Sequence, residues 1–229
     1  MSLTRVVLVL IQTTFNELAC TPPNPTQTKH RYHTEEPGFF QIAPLILRLH
    51  QYLLRGVAGL ETLSYLTAAG YKLPLFPTPT LVIRIQTSTT PLFLLGVALV
   101  VAGSIFRLAA FRALGELFTF DLTIHPNHRL VTDGPYAYVR HPSYTGTLCI
   151  IAGLVASHLG PGSWIWLYAG HSWLLHGLLL AGGTTWWTWM LGVGLSRIPA
   201  EEKKMSALFP EQWAAYVRRV PYWFIPGVV

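Results

Sequence analysis

The chain has 229 residues, 51% of them hydrophobic and 11% charged, where soluble domains carry about 25% charged residues. So little charge cannot cover the surface of a soluble domain of this size, which points to a membrane protein. The net charge of +6 is scattered rather than gathered into a basic stripe with interleaved aromatics, which excludes a nucleic-acid partner, and Cys20 and Cys149 make neither a disulfide framework nor a zinc motif.

The first apolar run covers residues 3–19 and is interrupted by Gln12, Asn16 and Glu17. It reads as a membrane span. A cleaved signal peptide is the alternative, although the apolar centre Val6 to Ile11 is short for one. Thr21-Pro-Pro-Asn-Pro-Thr26 predicts an extended linker. A span needs about 20 mostly apolar residues, and 43–69, 91–111, 143–159 and 164–194 supply four more candidates. In the second span Arg48, Gln51, Arg55 and Thr62 form a polar stripe at helical spacing, and His50 and Glu61 add a partial second one. Such side chains either snorkel and pair with neighbouring helices or line a wet cavity. A Pro-rich stretch, Leu73 to Thr80, separates the second and third spans. Gly96 and Gly103 permit close helix approach in the third, and Gly160-Pro-Gly-Ser163 predicts a tight hairpin between the fourth and fifth.

The expected fold is an all-α integral membrane protein of about five transmembrane helices with a cytosolic C-terminal amphipathic helix. Residues 1–229 form one multi-pass domain, with a catalytic half at about 112–229. With five spans, Lys29, Arg31, Arg112, Arg129, Arg140, Arg197, Lys203, Lys204, Arg218 and Arg219 share one side, against Arg5, Lys72 and Arg84 on the other. That bias puts the richer side in the cytosol.

Two polar motifs fall on that side. In Gly134-Pro-Tyr-Ala-Tyr-Val-Arg-His-Pro-Ser-Tyr144, Pro142 suits the first turn of a helix, where its missing N–H costs nothing. His141 then sits at the helix entrance and Tyr144 about one turn inside, near Arg140 and Tyr136. An interfacial belt would explain the Tyr and Arg residues but not the Gly134-Pro135 turn beside His141-Pro142. In the second motif Arg197 and Glu201 stand at i and i+4, on one helix face. By itself that is a solvated ion pair; at the exit of a span, on the side that holds the His-Pro motif, it is a functional candidate. Leu208-Phe209, Trp213, Tyr216-Val217 and Val220 continue at helical intervals, leaving Lys203, Lys204, Arg218 and Arg219 free for anionic headgroups. His125, His128 and His141 lack a carboxylate shell in sequence, so no metal is expected.

These residues resemble the isoprenylcysteine carboxyl methyltransferase family of integral membrane enzymes. The likeness rests on Gly115 to Tyr144, especially "HRLVTDGPYAYVRHPSYTG", then Arg197, Glu201-Glu202 and the ending "FPEQWAAYVRRVPYWFIP". It implies S-adenosylmethionine as methyl donor, held by Thr123, His128, Arg129, Leu130, Val131, Tyr136, His141, Pro142, Ser143, Tyr144 and Glu201. Arg197 matches the position that contacts the substrate, and Arg197 and Glu201 are the residues expected to carry catalysis. The implied substrates are prenylated CaaX-type proteins at the cytosolic face of the endoplasmic reticulum. Phospholipid N-methyltransferases and sterol reductases share a weaker form of the His-Pro-x-Tyr block. A receptor-like scaffold without turnover is the non-enzymatic alternative.

Overall fold

The computed structural model describes residues 2–25, 43–71, 87–120, 128–169 and 172–228. Regular structure among the described residues is helical. The α-helices are α1 Leu3–Cys20, α2 Ala43–Ala68, α3 Pro91–Leu114, α4 Pro142–His158, α5 Trp164–Ala169, α6 Trp173–Leu208 and α7 Pro210–Arg219, with short 3-10 turns at Gly115–Leu117 and Gly134–Ala137. The Pro-rich stretch 73–80, Thr26, Lys29, Arg31, Lys72, Arg84, Thr123 and His125 lie outside the described residues.

The helices invert the pattern of a soluble protein. On α1, Arg5, Gln12 and Asn16 are buried while Leu3, Val7, Leu10 and Leu18 are exposed; on α2, His50, Gln51 and Glu61 are buried while Leu45, Leu49 and Leu53 are exposed. Polar groups inward and apolar groups outward is what a hydrocarbon solvent selects, and it gives the chain membrane character. By length and composition, Leu3–Cys20 and Pro91–Leu117 are apolar enough to cross a bilayer. The polar stripe dilutes α2, and α4 has 17 residues.

Contacts group the chain into two compact units. The first comprises Met1–Glu17, Leu49–Ala102 and Cys149–Trp187. Arg5 grips Glu61 through Nε at 2.8 Å and Nη2 at 3.1 Å, and its guanidinium lies 4.1 Å over the Phe93 ring. Gln12 Nε2 meets His158 Nε2 at 2.7 Å, and His50 Nε2 meets Asn16 Oδ1 at 3.2 Å. Arg55 pairs with Glu17, while Gln51 donates to the Glu17 carbonyl at 3.3 Å. Pairing between helices is thus the reading that holds for Gln51, Arg55, His50 and Glu61. Thr62 turns its hydroxyl back to the Ala58 carbonyl. A Cβ on Gly96 would stand 2.6 Å from the Gly153 carbonyl oxygen, and one on Gly153 2.5 Å from that of Gly96, so α3 and α4 touch backbone to backbone there.

The Gly160–Ser163 turn forms as expected, with Gly162 at φ 81°. The run 164–194, read as one span, is instead two helices. The Ser163 hydroxyl accepts from the Trp166 N–H at 3.2 Å and the Ser172 hydroxyl from the Leu175 N–H at 3.3 Å. Each serine caps a helix N-terminus, so α6 starts afresh at Trp173. It then continues to Leu208 with Pro199 inside it.

The second unit comprises Leu18–Arg48, Gly103–Leu148 and Thr188–Val229. Phe111, Phe118 and Phe120 form its aromatic core, packed by Leu47, Leu108 and Leu114. A Cβ on Gly146 would stand 2.6 Å from the Gly103 carbonyl oxygen, which gives Gly103 the close approach its sequence context suggests.

Glu61→Ala leaves the Arg5 guanidinium buried without its carboxylate, and breaking such a pair costs about 3–5 kcal/mol. The variant is expected to melt well below wild type in detergent, while the double change Arg5→Met, Glu61→Met regains most of the loss. A single variant with wild-type thermal stability refutes this account of the pair.

Candidate functional site

The site is built in the second unit. Gly134, at φ 57°, opens the 3-10 turn that carries Tyr136. Pro142 begins α4 and is fully buried. The C-terminal segment braces the backbone just ahead of that helix: the Arg140 N–H donates to the Tyr222 carbonyl at 2.9 Å and the His141 N–H to the Trp223 carbonyl at 3.0 Å. Thr145 Oγ1 donates to the Phe224 carbonyl at 2.9 Å. From α7, the buried Tyr216 donates its hydroxyl to the Tyr136 carbonyl at 2.8 Å.

Helix α6 brings the second motif to the first. Tyr144 donates its hydroxyl to Glu201 Oε1 at 2.7 Å. His141 lies between two carboxylates, with Nε2 at 3.1 Å from Glu202 and Nδ1 at 3.6 Å from Glu201. Arg140 Nε donates to Glu202 at 2.8 Å and its Nη1 to the Val220 carbonyl at 2.9 Å. A cavity of about 270 Å³ opens beside this network. Its wall includes His128, Arg129, Leu130, Val131, Tyr136, His141, Ser143, Tyr144, Arg197 and Glu201. Pro142 packs fully buried at the helix start, where it sets the entry of α4, and is not among the lining residues. Thr123 lies outside the described residues. No metal-binding cluster forms among the described residues.

The electrostatics follow from the contacts. Burial is the largest influence on His141 and works against its charge, yet Glu201 and then Glu202 together raise it above its ordinary 6.5. Burial likewise opposes ionisation of both carboxylates, but His141 with Arg197 and Tyr144 holds Glu201 below 4.5, and His141 with Arg140 does the same for Glu202. Glu201 keeps 26% of its side chain exposed, so an ionised carboxylate remains open to a ligand. Burial, then Glu201, pushes the Tyr136 hydroxyl upward, which leaves it neutral. The Arg197 side chain has no hydrogen-bond partner among the described residues.

Sequence reasoning missed Arg107, which lines the cavity from α3. The signal was an ionisable residue late in an otherwise apolar run. Glu202 and the segment Tyr222–Phe224 were noticed only as part of a likeness. Gly194 is also part of the wall; a Cβ there would lie 3.3 Å from the Tyr144 ring, so its bareness lets that ring stand against α6.

Residues 95–207, which hold most of α3, both motifs and most of the cavity wall, match the model of the isoprenylcysteine carboxyl methyltransferase (ICMT) family. That stretch of the chain, just under half of it, is similar to this family. Among curated relatives it is 30% identical over 128 residues to protein-S-isoprenylcysteine O-methyltransferase B of Arabidopsis thaliana, a match covering 55% of either chain. To protein-S-isoprenylcysteine O-methyltransferase A of the same plant it is 29% identical over 127 residues, again 55% of each. A probable protein-S-isoprenylcysteine O-methyltransferase of Oryza sativa subsp. indica is 37% identical over 60 residues, 25% of this chain and 31% of the relative. The chain therefore spans about half the length of the Arabidopsis relatives it matches. No solved structure matches it significantly.

The stability that His141 draws from its two carboxylates is complete below the ordinary histidine value and is lost as pH rises through its raised folded-state value. That of Glu201 and Glu202 is complete above 4.5 and is lost as pH falls through their lowered values. The melting temperature is therefore expected to fall on the alkaline side, above 6.5, and His141→Gln to flatten that limb. An alkaline limb unchanged in His141→Gln assigns the titration to another group.

Proposed function

We propose that the chain moves a methyl group from S-adenosylmethionine to the C-terminal carboxylate of a prenylated cysteine, acting as a protein-S-isoprenylcysteine carboxyl O-methyltransferase. The observation that carries this is the meeting of the two motifs at one cavity, where Glu201 contacts His141 and Tyr144 and Arg197 has no hydrogen-bond partner among the described residues. The similarity of residues 95–207 to the isoprenylcysteine carboxyl methyltransferase family supports it. The donor set fits both ligands in kind: an open carboxylate suits the cationic amino end of the methyl donor, and a free guanidinium suits a carboxylate substrate.

When bound, the methyl donor supplies an electrophilic methyl on sulfur, and the substrate carboxylate is already ionised, with a pKa of about 3.3–3.7. What remains for the protein is alignment, exclusion of water and control of charge. Arg197 forks onto the carboxylate and aims one oxygen at the methyl group. Its hold has to be moderate, because that carboxylate loses charge in the transition state. Glu201, oriented by the Tyr144 hydroxyl and by His141, takes the donor's ammonium. Tyr136 offers a neutral aromatic face to the sulfonium, while Tyr144 has its hydroxyl committed to Glu201. His128, Arg129, Leu130, Val131 and Ser143 complete the donor's site in this reading, as Thr123 does by resemblance.

The remaining proposals concern setting. Residues 1–229 act as one multi-pass domain of about five spans in the endoplasmic reticulum membrane. Its catalytic half, about 112–229, faces the cytosol, and α7 lies at the membrane surface. A prenyl chain gains about 0.8 kcal/mol per buried CH₂ in lipid, so the substrate reaches the site from the bilayer while the donor arrives from water. Its partners are prenylated CaaX-type proteins.

A membrane assay with labelled S-adenosylmethionine, offering N-acetyl-farnesylcysteine and phosphatidylethanolamine in parallel, tests the reading. Base-labile methyl ester on the prenylcysteine alone is expected; label in the lipid amine overturns it. Arg197→Ala is expected to raise KM for the prenylcysteine at least about tenfold, with little change for the donor, and Glu201→Ala the reverse. Equal effects on both ligands refute the division of roles.

A further inference from the structure

Arg107 stands on α3, two turns from its end, with its guanidinium locked in place. Nε donates to the Ala19 carbonyl at 2.6 Å. Nη1 donates to the Ser143 carbonyl at 3.1 Å, to Ser143 Oγ at 2.9 Å and to Thr147 Oγ1 at 2.5 Å. The rings of Phe111 and Phe120 each lie 5.2 Å from the guanidinium carbon. Its partners are neutral carbonyls, hydroxyls and ring faces, with no carboxylate among the described residues. Nη2 makes no bond there either, and Arg107 lines the cavity and is only partly buried.

The charges around the cavity make this informative. Its carboxylates are Glu201 and Glu202. Glu202 is held by Arg140 and His141, and Glu201 by Tyr144 and His141. Arg129 is exposed. Among the described residues, therefore, Arg107 faces the cavity with no carboxylate on it, and Arg197 does so with no hydrogen bond, Glu201 acting on it only through space. A cation held away from bulk water with no anion is costly, and one that lines a cavity with N–H groups to spare is suited to an anion that arrives with a ligand. Methyl transfer from S-adenosylmethionine to a prenylcysteine brings two ligands, each with one carboxylate.

We infer that Arg107 Nη2 binds a ligand carboxylate, and that it is the amino-acid carboxylate of the methyl donor, leaving Arg197 to the carboxylate that receives the methyl group. The inference rests on the methyltransferase reading. It accounts for the spread of polar contacts on the wall: the donor's amino acid has its ammonium on Glu201 and its carboxylate on Arg107. Tyr144 and Ser143 join the two anchors, since they sit one residue apart at the start of α4 and contact Glu201 and Arg107 respectively. Because three of the guanidinium's bonds go to α4, its orientation is set before any ligand enters, so little order is lost on binding.

The test compares ligands with and without the carboxylate on the purified full chain in detergent. Wild type is expected to bind S-adenosylmethionine at least about tenfold more tightly than its decarboxylated analogue, as a charge-assisted bond implies. In Arg107→Gln that ratio is expected to collapse towards one through loss of S-adenosylmethionine affinity, with the decarboxylated analogue bound as in wild type. The ratio for N-acetyl-farnesylcysteine over its methyl ester is expected to persist. Collapse of the prenylcysteine ratio instead overturns the assignment to the donor, and two unchanged ratios overturn any ligand contact at Arg107. Should the loss of its structural bonds unfold Arg107→Gln, Arg197→Gln carries the test from the other side. It is expected to keep the donor ratio, and a collapsed one there moves the donor carboxylate to Arg197. A wild type that binds neither donor overturns the methyltransferase reading itself; a wild type that discriminates while Arg107→Gln does so equally overturns this inference alone.

Discussion

The second unit depends on one charge network. His141 and Arg140, from the loop ahead of α4, hold Glu201 and Glu202, which are adjacent on α6. In so apolar a chain, packing alone fixes the rotation of a long helix weakly, because much of its surface is equally greasy. Adjacent carboxylates answered by adjacent cations allow one rotation and one height. A turn of slip on α6 leaves two ionised carboxylates and a guanidinium without partners, and a buried unpaired charge costs several kcal/mol. The network thus sets the register on which the cavity wall depends, and places Glu201 at its edge.

The same logic runs through the first unit with other residues. Arg5 with Glu61, Gln12 with His158 and Asn16 with His50 are polar pairs drawn inward from helices whose outer faces are leucine and valine. The interruptions Gln12, Asn16 and Glu17, which weaken the first run as a membrane span in sequence, are the groups that fasten it. A hydropathy reading scores a polar residue against a span wherever it points, whereas the physical cost depends on whether a partner meets it. Those partners lie between 34 and 146 positions away in sequence, so the pattern of polar residues was legible while the pairing was not. The failure at 164–194 has the opposite cause. Serine caps at Ser163 and Ser172 are local signals, present in the sequence but outweighed there by an apolar run long enough to hide them.

At the site, sequence spacing was enough where chemistry is local. Pro142 predicted where α4 starts, and Arg197 with Glu201 predicted a shared helix face; both hold. Their meeting was inferred from a likeness and from charge bias, and it is present as the hydrogen bond from Tyr144 to Glu201. What stayed hidden was held by contacts of backbone and of distant residues. Tyr222 and Trp223 act through their carbonyls, which any residue carries, so no side-chain pattern could mark them. Arg107 was visible as a charge in an apolar run, but its importance arises from partners on α1 and α4 that cannot be read from α3.

The state of His141 and of the carboxylates beside it bears on the class of nucleophile. Methylating a lipid amine would require a base near neutral pH, since the protonated amine has no lone pair to give. His141 is the obvious candidate by residue type, yet it lies between two carboxylates that favour its charged form, so its lone pair is already occupied. Tyr136 is pushed towards its neutral phenol, and Glu201 and Glu202 are held below the ordinary carboxylate range, which makes them weak acceptors. A further obstacle is Arg197, whose charge would repel a cationic headgroup. A carboxylate needs no base and is drawn to that guanidinium. The arrangement that makes His141 a poor base therefore favours a carboxylate as methyl acceptor over an amine.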